Sequence, residues 1–382
     1  MSILYHLSFN YNSYRETWNK MTENERRLAM KKVGIIGCGG IARVHAWVLG
    51  NMEDVEVKAL CDVHLERTKQ LAETIRNKAQ DVTLTEDWRA LCNMDLDVVH
   101  VCTPHFLHAP MAEELLRSGK AAFVEKPCAI SWEQFEALKR ENVLHPGKLG
   151  FCFQNRYNET TLFMDQLVKE GRIGRILGGR AFVTWRRDEE YYAESDWKGR
   201  LDYEGGGVLI NQAIHTLDLL LRYLGEPELV LGSSANHHLN PYLNLKTKGA
   251  GGERSREEDL LPCVEVEDTV EAWMEFPEGR RGCFYASNGY AGDAPVIIEL
   301  QGTKGRICMN GQEITIYSKE EAPKHFMRDL GQGIGKDYWG CGHKACIEDF
   351  YWTLQTGRHY PNDLQGVENT FRTMMKIYEA AR

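Results

Sequence analysis

The chain has 382 residues, 43% of them hydrophobic and 26% charged, with a formal net charge of −9. This length and balance describe a globular protein with room for two domains. The acidic excess lacks the basic stripe of a nucleic-acid binder, and no apolar run is long enough to span a bilayer, so neither nucleic acid nor membrane is expected as a partner.

Residues 1–30 are polar, aromatic and charged, without the charged-then-apolar order of a signal peptide. They read as a loosely attached extension ahead of the first strand. From Val33 onward, strand-like apolar runs at 33–37, 55–61, 98–102, 121–124 and 148–153 alternate with helical patterns at 40–51, 64–78, 107–119 and 131–142. The alternation predicts an α/β Rossmann domain over 31–150, a doubly wound parallel sheet.

The first strand ends in Gly37-Cys38-Gly39-Gly40-Ile41-Ala42, with Gly37, Gly39 and Ala42 at the small-residue positions of the G-x-G-x-x-G/A fingerprint. The first glycine makes the tight turn and the second lets a pyrophosphate reach the backbone. The third small residue lets helix and strand pack closely. The helix that starts at Gly40 and Ile41 then aims its free N–H groups and positive dipole end at the phosphates. Asp62 closes the second strand, where an acid hydrogen-bonds the ribose hydroxyls of a dinucleotide. Capping of the next helix is the alternative reading. An acid there repels a 2′-phosphate, so NAD is expected over NADP, with Arg67 close enough in sequence to soften the preference.

Ligands in such sheets sit beyond the carboxyl ends of the strands. Two motifs fall there, Thr103-Pro104-His105-Phe106-Leu107-His108 and Glu125-Lys126-Pro127. Pro127 biases Lys126 to an extended backbone and limits where its side chain aims. On spacing alone, Lys126 is either a donor to substrate or cofactor or a solvated turn lysine. Eleven cysteines are scattered without framework spacing and read as reduced thiols of a cytoplasmic protein. Cys341 and Cys346 flank His343 with no second ligand pair, so no metal is expected.

The glycine loop, the acid after the second strand, Thr103-Pro104 with His108 four residues beyond the proline, and Glu125-Lys126-Pro127 together resemble the Gfo/Idh/MocA family, from about Val33 to the C-terminus. The resemblance implies an NAD(P)-dependent oxidoreductase acting on sugars, inositols and related polyols. It implies a catalytic role for Lys126, and it places Thr103, Pro104, His108 and Glu125 at the cofactor. His105 departs from it, where an asparagine is common.

The second half, 151–382, predicts an α+β domain with a mostly antiparallel open sheet. A strand is expected around 149–157, a helix over 160–170, then strands at 176–187, 269–276, 281–287, 296–300 and 306–309, with Gly302–Gly305 as a hairpin turn. In Thr269–Phe276, Val270, Ala272, Met274 and Phe276 alternate with Thr269, Glu271, Trp273 and Glu275, the pattern of a half-buried sheet. Trp273 on the wetter face marks that face as a subunit contact. The resemblance implies a homodimer or homotetramer through it. Residues 246–259, rich in Gly, Lys, Arg and Glu, read as a flexible excursion.

After Gly205-Gly206-Gly207, a helical pattern carries Asn211, His215 and Asp218 at i, i+4 and i+7, one polar stripe on an apolar helix. Such a stripe serves either as a satisfied buried network or as a site. The resemblance selects the site, because it implies an Asp/Asn-x-x-x-His pair facing the lysine of Glu-Lys-Pro. Asn211 cannot carry charge, so it positions substrate or His215. His215, with an ordinary pKa near neutrality, is the better general acid/base, while Lys126 hydrogen-bonds the reacting oxygen; Lys126 as the base stays open. Arg156, Trp197 and His343 are further substrate-binding candidates. Arg156 has a structural ion pair as its alternative, Trp197 has a core position, and His343 rests on motif position alone.

Hydride transfer between NAD and a carbinol carbon of a sugar, substituted sugar or inositol is therefore the leading expectation. Two others stand beside it: a net non-redox reaction on bound NAD, such as glycoside cleavage through a transient ketone, and a non-catalytic NAD-dependent sugar-sensing regulator.

Overall fold

A computed structural model describes residues 30–75, 81–236, 264–318, 322–327 and 340–381. The expected extension and the expected excursion at 246–259 lie outside them. The chain forms two compact units, one from the described residues of 1–103, 107–158 and 330–367, the other from those of 104–106, 159–329 and 368–382.

The first unit is a six-stranded sheet of β1 (Lys31–Ile36), β2 (Val55–Cys61), β3 (Thr83–Thr85), β4 (Val98–Val101), β5 (Ala121–Val124) and β6 (Leu149–Phe151). The strands run in the order β3-β2-β1-β4-β5-β6, and every pair is parallel. Helices α1 (Gly40–Asn51), α2 (Leu65–Thr74), α3 (His108–Arg117) and α4 (Trp132–Leu144) make the connections. Each residue of β4 and β5 is buried, the signature of a central parallel strand covered on both faces. Val33, Ile35, Val57, Leu60 and Phe123 form one core with Phe350 and Tyr351, which lie on the His343–Thr356 helix. The strand order reverses between β1 and β4, and a crevice at that switch is where doubly wound sheets bind ligands. β3 is missing from the sequence reading because three residues are too few to show a period.

The second unit is an eight-stranded sheet. Its strands are β7 (Ile176–Thr184), β8 (Leu229–Ala235), β9 (Thr269–Phe276), β10 (Arg280–Ser287), β11 (Ile297–Gly302), β12 (Gly305–Asn310), β13 (Glu313–Ser318) and β14 (Lys324–Met327). They run in the order β14-β13-β12-β11-β7-β10-β9-β8, antiparallel except for β7 with β10. Helix α5 (Glu159–Lys169) packs against β12 and β13, and helix α6 (Ile214–Leu224) against β7 and β10. The β9 alternation is as read: Val270, Ala272, Met274 and Phe276 are buried, and Trp273 is 62% exposed. The strand expected through residue 157 ends at Phe151 instead. Gln154–Tyr157 form a tight helical turn whose Arg156 N–H donates to Phe153 O, so this backbone leaves the sheet.

Candidate active site

The fingerprint loop is shaped for a pyrophosphate. Gly37 has φ of +83°, and a Cβ there would stand 2.5 Å from the Cys102 carbonyl oxygen, so only glycine fits. Around Gly39 and Gly40 nothing lies within 4 Å of such a Cβ. Gly39 caps α1 with no side-chain hydrogen bond, and the first turn holds no acid, so the positive end of the helix is offered to an anion. Ala42 is fully buried and Ile41 half-buried. Asp62 is buried, with Oδ2 accepting Cys38 N–H at 2.8 Å and Oδ1 accepting His64 N–H at 2.9 Å. The acid thus braces the loop, and Arg67 stands 3.9 Å from its Oδ1. These residues fit a dinucleotide: Gly37 to Ala42 would hold the phosphates and Asp62 the ribose.

His108, at the start of α3, ties together the loops after β4 and β5. Its Nδ1 lies 2.8 Å from Pro127 O and its Nε2 2.8 Å from Thr103 O. Burial pushes the imidazole below its usual pKa against the pull of the two carbonyls. A neutral ring donates to one of them at a time. His108 therefore shapes the Thr-Pro and Glu-Lys-Pro segments through their backbones. Lys126 is half-buried, and the Lys126–Pro127 peptide is cis.

Behind Lys126 stands a buried polar chain that no motif announced. Glu125 Oε1 is 2.9 Å from His45 Nε2, His45 Nδ1 is 2.8 Å from His100 Nδ1, and His100 Nε2 is 2.8 Å from the Tyr351 hydroxyl. Burial alone would raise the Glu125 carboxyl, but the hydrogen bond from His45, helped by the Lys126 cation, holds it well below the usual carboxylate range. The donor atoms of His45, Glu125 and Cys152 lie within 4.8 Å of one another, and two of the three, His45 and Glu125, share a hydrogen bond. The available signal was a histidine at a helix position flanked by Ala42, Ala46 and Leu49, where a period of 3.6 calls for an apolar residue. His343 opens its helix fully buried, and burial pushes its imidazole down to about 4.

Arg156 is buried with its guanidinium committed to the fold. It donates to Pro361 O at 3.1 Å, Asn362 Oδ1 at 3.1 Å and Gly366 O at 2.9 Å, and stacks on the Phe153 ring. These are two backbone carbonyls and an amide oxygen, contacts of the kind a structural arginine makes.

In the second unit, the helix bearing Asn211 and His215 is not uniform. Leu209–Ala213 form a π-turn, and α6 follows from Ile214. The i, i+4, i+7 stripe read for a single α-helix is thereby corrected: the wider turn breaks the phase between Asn211 and the residues after it. Such turns recur at functional positions. Asn211 Nδ2 donates to the Glu204 carboxylate and, at 3.2 Å, to the Tyr191 hydroxyl. His215 is buried on α6. Asp218 accepts from Thr370 Oγ1 at 2.6 Å, a packing contact between helices. Glu267 caps the start of this helical run, its carboxylate accepting Gly207 N–H at 2.7 Å, Leu209 N–H at 3.1 Å and the Tyr378 hydroxyl at 3.0 Å. A cap lying some sixty residues away in the chain leaves no local signal. Trp197 is half-buried with its ring 4.9 Å from that of His105, whose Nδ1 is 2.9 Å from Glu204 O. Pro104, half-buried, precedes His105 in this unit.

Residues 31–145 match the model of an oxidoreductase family with an NAD-binding Rossmann fold, and residues 161–308 match the GFO/IDH/MocA C-terminal domain. A levoglucosan dehydrogenase of Pseudarthrobacter phenanthrenivorans is 26% identical over 85% of this chain and 89% of its own. An alpha-N-acetylgalactosaminidase of Shewanella oneidensis is 29% identical over 45% of this chain and 40% of its own. Among solved structures, the WlbA dehydrogenase from Chromobacterium violaceum, in complex with NADH and UDP-GlcNAcA, shares the fold with a TM-score of 0.75 at 24% identity, covering 93% of this chain and 94% of that one. Both halves of the architecture and both family models agree: the chain belongs to the GFO/IDH/MocA family of NAD-binding oxidoreductases.

Proposed function

We propose that this protein transfers a hydride between NAD and a carbinol carbon of a sugar, substituted sugar or inositol, with Lys126 and His215 as the catalytic pair. The carrying observation is the likeness to a levoglucosan dehydrogenase over 85% of this chain, together with the presence of Lys126 and His215 in the sequence. Bound NAD supplies the hydride acceptor. Gly37, Gly39, Gly40, Ile41 and Ala42 bind its phosphates, Asp62 its ribose, and Thr103, Pro104, His108 and Glu125 shape the nicotinamide end. His215 takes the hydroxyl proton as the hydride leaves and returns it in reduction. Lys126 donates to the same oxygen as charge builds there. Asn211, which is neutral and held by Glu204 and Tyr191, orients His215 or the sugar. Trp197 and His343 bind sugar, with Trp197 offering an aromatic face to a pyranose ring.

The assembly follows from the open sheet. Leu231 pairs with Trp273 across β8 and β9, and the two are 58% and 62% exposed. An apolar exposed pair on an uncovered sheet face fits a homodimer or homotetramer formed through that face. Trp273→Glu is expected to give monomers by light scattering; an unchanged mass would remove the face from the assembly. Among the described residues no helix is long and apolar enough to cross a membrane; the scattered cysteines, read as reduced thiols, support cytoplasmic action.

A second reading is favoured by the likeness to an alpha-N-acetylgalactosaminidase: a net non-redox cleavage on bound NAD. Incubation with free NAD and a panel of sugars and inositols, followed by the absorbance of reduced nicotinamide, decides. Turnover of free NAD supports the dehydrogenase. Product without net NADH supports the second reading. Binding without turnover overturns both.

A further inference from the structure

Glu125 follows the last residue of β5 and precedes Lys126. Its carboxylate is buried. An ionised carboxylate only accepts hydrogen bonds, so His45 Nε2, 2.9 Å away, carries a proton. A single proton occupies the 2.8 Å gap between the Nδ1 atoms of His45 and His100. His100 shares that proton with His45 at its Nδ1 and meets the Tyr351 hydroxyl at its Nε2. Burial pushes His100 well below its usual pKa, so its ring is neutral and carries a single N–H. The hydrogen bonds therefore run without a break from Tyr351 through His100 and His45 to Glu125. The chain ends beside Lys126, whose backbone N–H lies 3.3 Å from Glu125 Oε2.

The other groups that act on Glu125 do not compete for its charge. Burial pushes His108 and His343 down and Cys102 and Cys152 up, so each is neutral near pH 7. Glu125 and Lys126 are adjacent in the chain, with the Lys126 N–H 3.3 Å from Glu125 Oε2, and opposite charges on neighbouring groups favour each other's charged form.

We propose that His45, backed by His100 and Tyr351, is a positioning residue for Lys126: it keeps the Glu125 carboxylate ionised and fixed, so that Lys126 acts as a charged hydrogen-bond donor and leaves the base role to His215. This rests on the proposed function for the part Lys126 plays in the chemistry. Without His45, a buried carboxylate loses its main donor and takes up a proton, and Lys126 loses its counter-charge.

The test reads Lys126 directly and needs no substrate. Labelling by an amine-reactive reagent, resolved to Lys126 by mass spectrometry, is followed against pH in the full chain for wild type, His45→Leu, His45→Gln and Glu125→Gln. Only the neutral amine reacts. His45→Leu and Glu125→Gln are expected to label about tenfold faster at neutral pH, the effect of removing an adjacent opposite charge. His45→Gln, whose amide still donates to Glu125, is expected to stay within about threefold of wild type. The near-isosteric Glu125→Gln decides the matter where the leucine variant does not fold. Unchanged labelling in a folded Glu125→Gln overturns the proposal, even if sugars are oxidised. Faster labelling in a protein that oxidises no sugar upholds the positioning and sinks the proposed reaction instead.

Discussion

Asp62 Oδ2 accepts the backbone N–H of Cys38 at 2.8 Å, so the acid that follows β2 is locked to the glycine loop. The same carboxylate is predicted to meet the cofactor ribose. Hydrogen bonds to charged groups contribute about 1.5–3 kcal/mol, so Asp62→Ala is expected to weaken NADH binding about 10- to 100-fold. Because the acid repels a 2′-phosphate, NADPH should gain on NADH in the variant. Fluorescence titration with both nucleotides checks this, and equal wild-type affinities for the two would contradict it.

Two glycines of one loop should fail differently. Gly37→Ala faces both a positive φ and a carbonyl 2.5 Å away, so it should destabilise the fold by more than the roughly 1–2 kcal/mol of left-handed strain alone. Gly39→Ala meets no protein atom within 4 Å, so it should melt like wild type yet bind NADH weakly, its methyl group standing where the pyrophosphate belongs. Thermal melts paired with NADH titrations separate the two. Normal NADH affinity in Gly39→Ala would place the phosphates elsewhere.

Turnover is predicted to depend on His215. His215→Ala should lose on the order of 10²–10⁴ in kcat with NADH affinity little changed, the range for a general acid/base. Steady-state kinetics on a sugar found by the panel provides the check; near-normal turnover would remove His215 from the role.

Stability should fall on the acid side of neutrality. His343 has its pKa lowered from 6.5 to about 4 by burial, so it stays neutral in the fold while the unfolded chain takes up a proton below 6.5. The unfolded state binds more protons across that window, and stability drops as pH falls from about 6.5 to about 4, by on the order of 3 kcal/mol from this group. His100 and His108, also lowered, add in the same direction. Denaturant melts across the window should show a shallower slope for His343→Gln. An identical slope would mean that His343 does not contribute.

What the sequence made legible was local. Val33 to Ala42 carry strand, turn and helix start within ten residues, and each step has its own residue requirement, so the nucleotide-binding unit follows from reading along the chain. The alternation in β9 was equally plain, because a sheet with one wet face repeats every two residues. Contacts between distant segments were not legible. Glu267 caps a helical run that begins about sixty residues earlier, and Tyr351 reaches His100 across 251 residues. The π-turn at Leu209–Ala213 breaks a period that the sequence writes as a plain α-helix. Arg156 looks like a binding residue in one dimension, and only the folded Pro361–Gly366 segment shows what its guanidinium holds.

The central claim is a hydride passing from a carbinol carbon to NAD. A sugar carrying deuterium at the oxidised carbon, turned over with free NAD, tests it most directly through the mass of the nicotinamide product. The account predicts one deuterium in the reduced cofactor for each sugar oxidised; product sugar formed with no label in the nicotinamide would contradict it.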